Sequence, residues 1–267
     1  MARSEMVRLS SFWSMPVAGV VRCVLAAMLA LSLVGCASGP GANPKDPLEP
    51  FNRSMFAFND AVDRTVLKPV ATAYKDVLPS PVRRGVGNFF NNLEDAWSFV
   101  NNVLQLKGEG AATSLLRVGI NTVIGIGGIF DVATELRLER FTEDFGQTLG
   151  YWGVGDGPYV VLPFFGPRTM RDAVAMPVDK TVGDPVTWIE DIPVRNTLWL
   201  TRVIDGRAEL LRAGEILDEV ALDRYTFVRD AYLQRRRNAV YDGNPPEEPV
   251  PSDEPRSSEP NATPLSR

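Results

Sequence analysis

The segment that most constrains the fold runs from Gly119 to Pro167 and combines many glycines with large apolar side chains. In its first part the glycines lie among isoleucine, valine and phenylalanine, at Gly119, Gly125, Gly127 and Gly128. Its last part is rich in aromatic residues as well as glycine. Because glycine has no Cβ atom, its backbone can bend and can approach other backbone or a ligand closely. The segment therefore predicts tightly packed, bendable backbone that faces apolar surroundings.

Three interpretations of this segment compete. A phosphate-binding loop is disfavoured, because no Lys-Ser or Lys-Thr pair follows residues 125–128 and no ribose-binding acid completes a strand–turn–helix frame. The second interpretation is close helix packing inside an ordinary core. The third is an apolar element that contacts lipid, and the rest of the chain favours it.

The composition narrows the possible functions. The chain contains no histidine, which excludes Ser-His-Asp and Cys-His catalysis and histidine-ligated metal sites. Its formal net charge is -5, whereas a nucleic-acid partner requires a basic face. We therefore expect a protein that is not an enzyme and that has no cofactor, no metal site and no nucleic-acid partner.

Two pairs of nearby carboxylates leave an enzymatic alternative open. Glu143 directly precedes Asp144, and Asp131 lies four residues before Glu135. Such pairs can supply a general acid and a general base for hydrolysis. Acidic residues in a charged segment are more commonly solvated, so this alternative ranks below the others.

Residues 1–35 have the organisation of an export signal that ends at a lipidated cysteine. Three arginines precede the apolar run from Val24 to Val34, which has the length of a signal core and is shorter than the roughly 20 residues that span a bilayer. Small residues then lead into Cys36, as at the sites where bacterial lipoproteins are cleaved and acylated. A plain secretory signal with an incidental cysteine is the alternative.

Acyl chains on Cys36 would anchor the protein, because each buried CH₂ group contributes about 0.8 kcal/mol. Ala37 follows the cysteine, and under the usual lipoprotein sorting rule this directs the protein to the outer membrane of a Gram-negative cell. Residues 36–48 form a Pro/Gly linker, and residues 49–242 form the folded domain. Residues 243–267 are rich in Pro, Glu and Ser, and we expect them to be disordered.

Apolar residues recur at helical spacing in the domain. Residues 51, 55, 58 and 62 share one helix face, and a second apolar stripe runs from Val82 to Leu104. The face opposite the second stripe carries Asn88, Asn91, Asn92, Asn101 and Asn102. Asparagine is a poor helix former, and charged residues would suit solvent better. These amides indicate either simple surface polarity or hydrogen-bonding groups in a wet passage or near lipid headgroups.

Proline and glycine divide the rest of the domain. Pro69 is expected to break the first helix, and Gly153–Gly157 predicts a flexible connection. Prolines in residues 158–167 exclude a regular helix there and disfavour a central strand. Residues 196–238 indicate one long helical region, which ends in arginines 235–237. These arginines indicate a solvated helix end or a contact with headgroups or a partner.

Several blocks between Asp46 and Asp242 resemble the MlaA (VacJ) family of outer-membrane lipoproteins, in family order and at family spacing. They are DPLEPFNRSMFAFND, KPVATAY, VRRGVGNFFNNLED, INTVIGIGGIFDVAT, DFGQTLGYWGVGDGPYVVLPFFGP and Arg171-Asp172. One departure is Arg168, where the family often has serine.

The resemblance implies an all-α, ring-like domain embedded in the membrane, with helices around a central amphipathic channel. It implies that the protein removes mislocalised phospholipids from the outer leaflet of the outer membrane and passes them to a periplasmic lipid-carrier protein. This retrograde transport would maintain lipid asymmetry. The implied partners are phospholipids, a trimeric outer-membrane porin and the carrier. A lipid-anchored envelope scaffold without transport activity is the alternative.

The expected site combines a gate with a lining. The gate is a hinge at Gly153, Gly155 and Gly157, for which a tight turn with positive φ is the alternative. The residues expected to line the channel or contact lipid are Asn88, Asn92, Asn121, Phe145, Trp152 and Tyr159. Cys36 is the expected lipidation site, and no catalytic residue is expected.

Overall fold

The structure, a computed structural model, describes residue 43 and residues 45–247. The predicted signal peptide 1–35, the lipidation site Cys36 and residues 248–267 of the predicted tail lie outside the described residues. Those assignments and the domain boundaries therefore stay predictions.

The described residues form a mainly helical domain with one β-hairpin, which confirms the predicted all-α class. A π-helical turn at Asp63–Leu67 joins the first two helices, and a 3₁₀ turn at Pro185–Trp188 precedes the eighth. The elements are α1 (Glu49–Val62), α2 (Lys68–Val77), α3 (Ser80–Leu104), α4 (Gly108–Val123), α5 (Val132–Glu135), α6 (Phe145–Tyr151), β1 (Tyr159–Leu162), β2 (Gly166–Thr169), α7 (Met170–Thr181), α8 (Ile192–Glu209), α9 (Leu211–Val220) and α10 (Arg224–Val240).

The expected break at Pro69 is wrong, because the chain stays helical from α1 through the π-helical turn into α2. Pro69 lies in the first turn of α2. A proline inside a regular helix lacks a hydrogen-bond donor and crowds the preceding turn. The wider π-helical turn just before it relieves that crowding.

A β-hairpin occupies the proline-containing segment, in which a regular helix was excluded and a central strand was disfavoured. β1 and β2 pair antiparallel, with Tyr159 opposite Thr169 and Leu162 opposite Gly166. Both strands are edge strands, because the sheet has two strands. Pro167 is therefore tolerated in β2, where its missing donor costs no central ladder bond.

The long helical region predicted for residues 196–238 is three helices, α8, α9 and α10. The chain turns between α8 and α9 at Leu210 and leaves α9 at Ala221. Asp223 then caps α10, because its side chain accepts hydrogen bonds from the backbone N–H groups of Tyr225 and Thr226.

The distribution of polarity is inverted relative to an ordinary soluble domain. Among the described residues, 20 polar or charged residues are buried but only 14 hydrophobic ones, whereas 37 large hydrophobic residues are exposed. In soluble proteins the buried positions are mainly apolar. Within residues 45–247, no helix is both long enough and apolar enough to cross a bilayer.

Helix α3 shows this inversion most clearly. Its asparagine face points inward, with Asn92, Asn101 and Asn102 buried, while Val100 and Leu104 on the apolar stripe are exposed. The interpretation of these three asparagines as surface polarity is therefore wrong. Asn92 Nδ2 donates to Thr122 on α4 (3.0 Å), and Asn101 Oδ1 accepts a hydrogen bond from Thr148 on α6 (2.8 Å). The amides thus join α3 to its neighbours.

Arg117 on α4 is the largest fully buried side chain and the centre of a polar network. Its Nε donates to Asp95 on α3 (3.0 Å), and its guanidinium also binds Asp131 (3.1 Å) and the Leu138 carbonyl (2.8 Å). Arg140 reaches the other oxygen of Asp95 (2.6 Å). Two buried charges are therefore paired and hydrogen-bonded, as burial of charge requires.

The first glycine cluster of the segment, residues 125–128, forms a tight turn between α4 and α5. A Cβ atom on Gly125 would collide with the carbonyl oxygens of Asn121 and Phe130. Gly128 has φ +90, and a Cβ there would lie 2.7 Å from the Cβ of Asn92. The turn leaves Ile126 and Phe130 exposed. Close packing and exposed apolar surface therefore occur in the same segment.

A small apolar core lies where the hairpin meets α10. Its buried members are Tyr159, Val161, Tyr225 and Tyr232. Asn52 of α1 is fully buried beside them, accepts from Val161 N (2.8 Å) and donates to the Tyr159 carbonyl (3.0 Å). The side chain of Asn52 thereby fixes α1 to the hairpin.

Asp46 ties the N-terminal segment to the same core. It is buried, accepts a hydrogen bond from Asn52 (2.8 Å), and is also bound by the Tyr225 hydroxyl and by Arg229 (3.2 Å). The linker therefore joins the domain at a fixed point on α10.

We predict that Arg117→Met destabilises the fold. The substitution keeps an apolar stem but leaves the buried Asp95 without this ion-pair partner. Removal of one partner from a buried ion pair costs about 3–5 kcal/mol. The measurement is the free energy of unfolding in denaturant, in detergent. Arg212→Met is the matched control, because Arg212 is exposed, and it should change stability by less than about 0.5 kcal/mol. Equal effects of the two substitutions would contradict the assigned role.

Candidate functional site

A polar cavity of about 520 Å³ lies among α3, α6, α7, α8 and α10. Its lining consists largely of charged groups, together with Trp97 and Tyr232. Asp144 lies in the cavity wall directly before α6. Its side chain accepts a hydrogen bond from Gln147 N and caps the helix. Helix α7 is capped in the same way by Thr169, which accepts from Asp172 N. Side-chain caps therefore hold two of the helices that carry the charged lining.

Arg236 on α10 binds the carboxylates of two other elements in this cavity. It forms an ion pair with Asp144 (2.6 Å) and another with Asp172 on α7 (2.8 Å). The Tyr232 hydroxyl also donates to Asp172 (2.8 Å). Arg236 is therefore not the solvated helix end considered from the sequence, because it cross-links α6, α7 and α10.

The cavity shifts the pKa values of its acidic groups in opposite directions. Burial alone would raise the pKa of Asp172, but Arg236 and the Tyr232 hydrogen bond hold it below its ordinary value. Burial raises the pKa of Asp179, although that carboxylate accepts hydrogen bonds from Phe145 N and Trp97 Nε1. Burial also raises the pKa of Glu143, even though Gln105 and Lys107 bind it.

A second, larger cavity of about 1080 Å³ has a mainly apolar lining, to which Arg84, Asp131 and Glu135 also contribute. It lies between the first half of α3, the turn before α5 and the first half of α8. Its apolar lining residues are Val82, Val86, Phe89, Phe90, Ile124, Ile129, Phe130, Val132 and Leu198.

The two cavities follow one another along the same faces of α3 and α8. On α3, Val86 and Phe90 line the apolar cavity, and Glu94 and Ser98 line the polar one. Residues four apart share a helix face, and each step of four advances about 6 Å along the axis. On α8, Leu198 lines the apolar cavity and the residue four positions later lines the polar cavity.

Arg202 lies at the boundary between the cavities. Its guanidinium carbon lies 5.4 Å from the centroid of the Phe90 ring, within range of a cation–π contact. It also forms ion pairs with Glu94 (3.1 Å) and Asp184 (2.8 Å). One side chain thus contacts the apolar wall on one side and the charged wall on the other. The arrangement can accommodate a molecule with an apolar part and a polar part.

Three of the four carboxylates considered for catalysis have structural partners, whereas Glu135 is exposed. Asp144 is paired with Arg236, and Asp131 caps α5 and binds Arg117. Glu143 is buried against Lys107 (3.2 Å). Among residues 45–247 there is no group of three or more His, Cys, Asp or Glu side chains arranged to hold a metal ion.

The predicted hinge lies in the loop between α6 and β1. Gly153 has φ +89 and open space where a Cβ atom would lie, and Gly155 also has open space. Gly157 has φ +66 and lies close to Met170. Arg171 ties this loop to α7 through Asp156 (2.7 Å) and the Val154 carbonyl (3.2 Å). The loop is thus a defined turn held at its centre, and its role as a gate stays a prediction.

The structure separates the residues expected to line a channel or contact lipid. Asn88 lines the apolar cavity, where its Nδ2 donates to the Ile129 carbonyl (3.0 Å). Trp152 lines neither cavity. It is 60% exposed, and its Nε1 donates a hydrogen bond to the Leu104 carbonyl. Phe145, partly buried at the start of α6, donates its backbone N–H to Asp179 (2.8 Å).

The other three residues of that set are buried. Asn92 binds Thr122, and Asn121 donates to Asp131 (3.0 Å) and accepts from Ala133 N (2.9 Å). Tyr159 is 1% exposed in the small apolar core. All three support the fold in this structure, and their contact with lipid stays a prediction.

Sequence reasoning missed most of the cavity lining. Arg168 and Arg235 were noticed, as a departure from the family pattern and as part of the arginine run, but neither was assigned to a site. Lys180 and Arg202 gave no signal, because they lie on helices whose meeting depends on long-range packing.

Comparison with known proteins gives consistent matches. The sequence model of the family described as MlaA lipoprotein matches residues 44–239. The intermembrane phospholipid transport system lipoprotein MlaA of Escherichia coli (strain K12) is 41% identical over 213 residues, covering 76% of this chain and 82% of the relative. The protein of the same name from Haemophilus influenzae is 35% identical over 232 residues, covering 83% and 92%.

A solved structure also matches. It is described as "Structural basis for maintenance of bacterial outer membrane lipid asymmetry" and has a TM-score of 0.64 and 38% sequence identity. The match covers 74% of this chain and 99% of that chain.

We predict that Asp172→Asn lowers stability in a pH-dependent way. The pKa of Asp172 in the folded protein is below the ordinary value of 3.8, so its contribution is complete above about pH 4 and is lost as pH falls through the lower folded pKa. At pH 6 the variant should be about 1.5–3 kcal/mol less stable than the wild type, as expected for hydrogen bonds to a charged group.

The measurement is the unfolding free energy at pH 6 and at pH 3 or below, where the difference should shrink. Asp76→Asn, at an exposed aspartate, is the matched control and should change stability little at either pH. A difference that stays constant or grows towards acid pH would contradict the assignment.

Proposed function

Because the chain belongs to the MlaA lipoprotein family, we propose that it removes mislocalised phospholipids from the outer leaflet of the outer membrane and passes them to a periplasmic lipid-carrier protein. This is retrograde phospholipid transport that maintains outer-membrane lipid asymmetry. The relatives' names and the structural neighbour's description support this function.

The observation that carries the proposal is the adjacency of the apolar and polar cavities along α3 and α8. A phospholipid has acyl chains that require apolar walls and a headgroup that requires polar or wet ones. A passage that changes from one lining to the other within about two helical turns meets both requirements. The contact of Arg202 with Phe90 and Glu94 marks the change.

Exposed apolar side chains support a position within the membrane. Trp152, Trp188 and Trp199 are 45–61% exposed, and tryptophan favours the interface between lipid and water. Apolar surface of this extent is rare on a monomer that lies in water. We infer that the helices lie partly in the plane of the membrane, in a ring around the passage, and that acyl chains on Cys36 hold the domain on the periplasmic-leaflet side of the outer membrane.

A trimeric porin and a periplasmic carrier are the proposed partners. The porin would contact the exposed apolar exterior, and the carrier would receive lipid at the polar end of the passage. A passive role fits the chain, because the sequence contains no nucleotide-binding motif.

The first test measures surface exposure of phosphatidylethanolamine in cells that lack this protein. Intact cells are treated with a membrane-impermeant amine reagent, with and without the wild-type gene or the Cys36→Ala variant. We expect labelling to rise in the deletion strain and to return to the parental level with the wild type but not with Cys36→Ala, because transport depends on the anchor. Labelling unchanged by the deletion, without a redundant system, would favour a lipid-anchored scaffold.

The second test concerns the gate. Gly153→Val with Gly155→Val should alter transport in the same assay while the protein remains folded, because β-branched side chains restrict the bending of the loop. Gly243→Val is the matched control, since Gly243 also has positive φ and open space around it but lies beyond α10. Transport that stays normal in a stable double variant would remove the gating role and leave a tight turn.

A further inference from the structure

Three cations line the polar cavity without an ion-pair partner among the described residues. They are Arg168 on β2, Lys180 at the end of α7 and Arg235 on α10. Within residues 45–247, the side chain of Arg168 donates a hydrogen bond only to the carbonyl of its neighbour Pro167 (3.4 Å). The other two arginines of the lining, Arg202 and Arg236, are both paired with carboxylates. Strand β2, the far end of the helix that follows it, and the more distant α10 thus bring unpaired positive charge to one cavity.

The surroundings of Lys180 disfavour its own charge. The residue as a whole is exposed, yet the protein around its ammonium group removes enough water to lower its pKa, and the nearby Arg202 and Arg168 lower it further. Asp184 opposes this effect, but it is already bound to Arg202. An anion placed beside Lys180 would favour the charged form.

The carboxylates of the cavity are already engaged. Each of the six binds a cation or accepts N–H hydrogen bonds: Glu94, Glu143, Asp144, Asp172, Asp179 and Asp184. Asp179 has no cationic partner within ion-pair distance among residues 45–247, but it accepts from Trp97 Nε1 (2.7 Å) and Phe145 N (2.8 Å). A positively charged ligand group would therefore find no free carboxylate, whereas a negatively charged one would find three free cations.

We propose that Arg168, Lys180 and Arg235 form a binding site for the phosphate of a lipid headgroup, and that the site prefers anionic phospholipids over zwitterionic ones. The proposal rests on the proposed function, because it assigns a substrate class to the same passage. Arginine and lysine are the side chains that bind phosphate through charge-assisted hydrogen bonds.

The apolar cavity fixes the orientation of such a ligand. Its acyl chains occupy the space beside Phe89 and Phe90, and its phosphate lies on the far side of Arg202, roughly 12 Å further along α3. A glycerol headgroup adds hydroxyl groups that the cavity can hydrogen-bond. An ethanolamine headgroup adds an ammonium group beside three free cations, which is unfavourable.

The test measures binding of phosphatidylglycerol and phosphatidylethanolamine with identical acyl chains to the purified full-length lipoprotein in nonionic detergent. We expect the wild type to bind phosphatidylglycerol at least about tenfold more tightly. The double variant Lys180→Gln with Arg235→Gln should lose roughly 10- to 100-fold in affinity for phosphatidylglycerol, as expected for removal of charged hydrogen bonds. Arg168→Ser should lose less than the double variant.

Lys75→Gln with Arg212→Gln is the matched control. It removes the same two positive charges from exposed positions outside the cavity, and affinity should stay within about twofold. Diacylglycerol with the same acyl chains lacks the phosphate, so its binding should be weak in every variant. Equal losses in the cavity variant and in the control, or equal affinity of the wild type for the two phospholipids, would overturn the proposal.

Competition separates a lipid headgroup from free phosphate. Millimolar inorganic phosphate should leave binding of phosphatidylglycerol nearly unchanged, because it lacks the acyl chains. Displacement of the lipid by inorganic phosphate at that concentration would assign the site to a free anion and overturn the lipid preference. The cell assay of the proposed function is read independently: if the wild type restores asymmetry while its binding shows no preference, the function stands and this site does not.

Discussion

The contact between Arg117 and Asp95 holds α3 against α4, and both side chains are almost completely shielded from solvent. An ion pair in the interior loses the hydration of two charges, and it persists only when further hydrogen bonds compensate that loss. Here the compensation comes from Asp131, the Leu138 carbonyl and Arg140. Asn92 extends the same polar interface, because its Nδ2 donates a hydrogen bond to Thr122 on α4. The central pair of helices is therefore joined by hydrogen bonds and charge rather than by an apolar seam.

The polar interior accounts for the apolar exterior of the domain. With polar groups used to join the helices, many large apolar side chains face outwards, as the proposed position in the membrane requires. The two cavities likewise have different linings, one mainly charged and one mainly apolar. Arg202 can contact an aromatic ring and two carboxylates only because α8 crosses α3 at the point where one lining gives way to the other.

Sequence periodicity predicted where the helices lie but not which of their faces is inside. A stripe such as that of α3 has the same spacing whether it packs in a core or faces lipid, and the buried asparagines decide the matter only once their partners on α4 and α6 are known. The prolines of residues 158–167 argued only against a helix and a central strand, so they did not predict the two edge strands of the hairpin. The resemblance to known lipoproteins gave the function, whereas Arg168, Lys180 and Arg235 converge through packing that no local pattern encodes.

Asp46 also sets how far the domain can travel. Its buried contacts with Asn52, Tyr225 and Arg229 fasten the chain to the domain ten residues after Cys36. Ten residues span at most about 35 Å when fully extended. Acylation of Cys36, as proposed above, would therefore hold the start of α10 within that distance of the bilayer surface. A tether of this length would keep the domain from diffusing across the periplasm, and the proposed carrier would have to come to the domain to collect lipid.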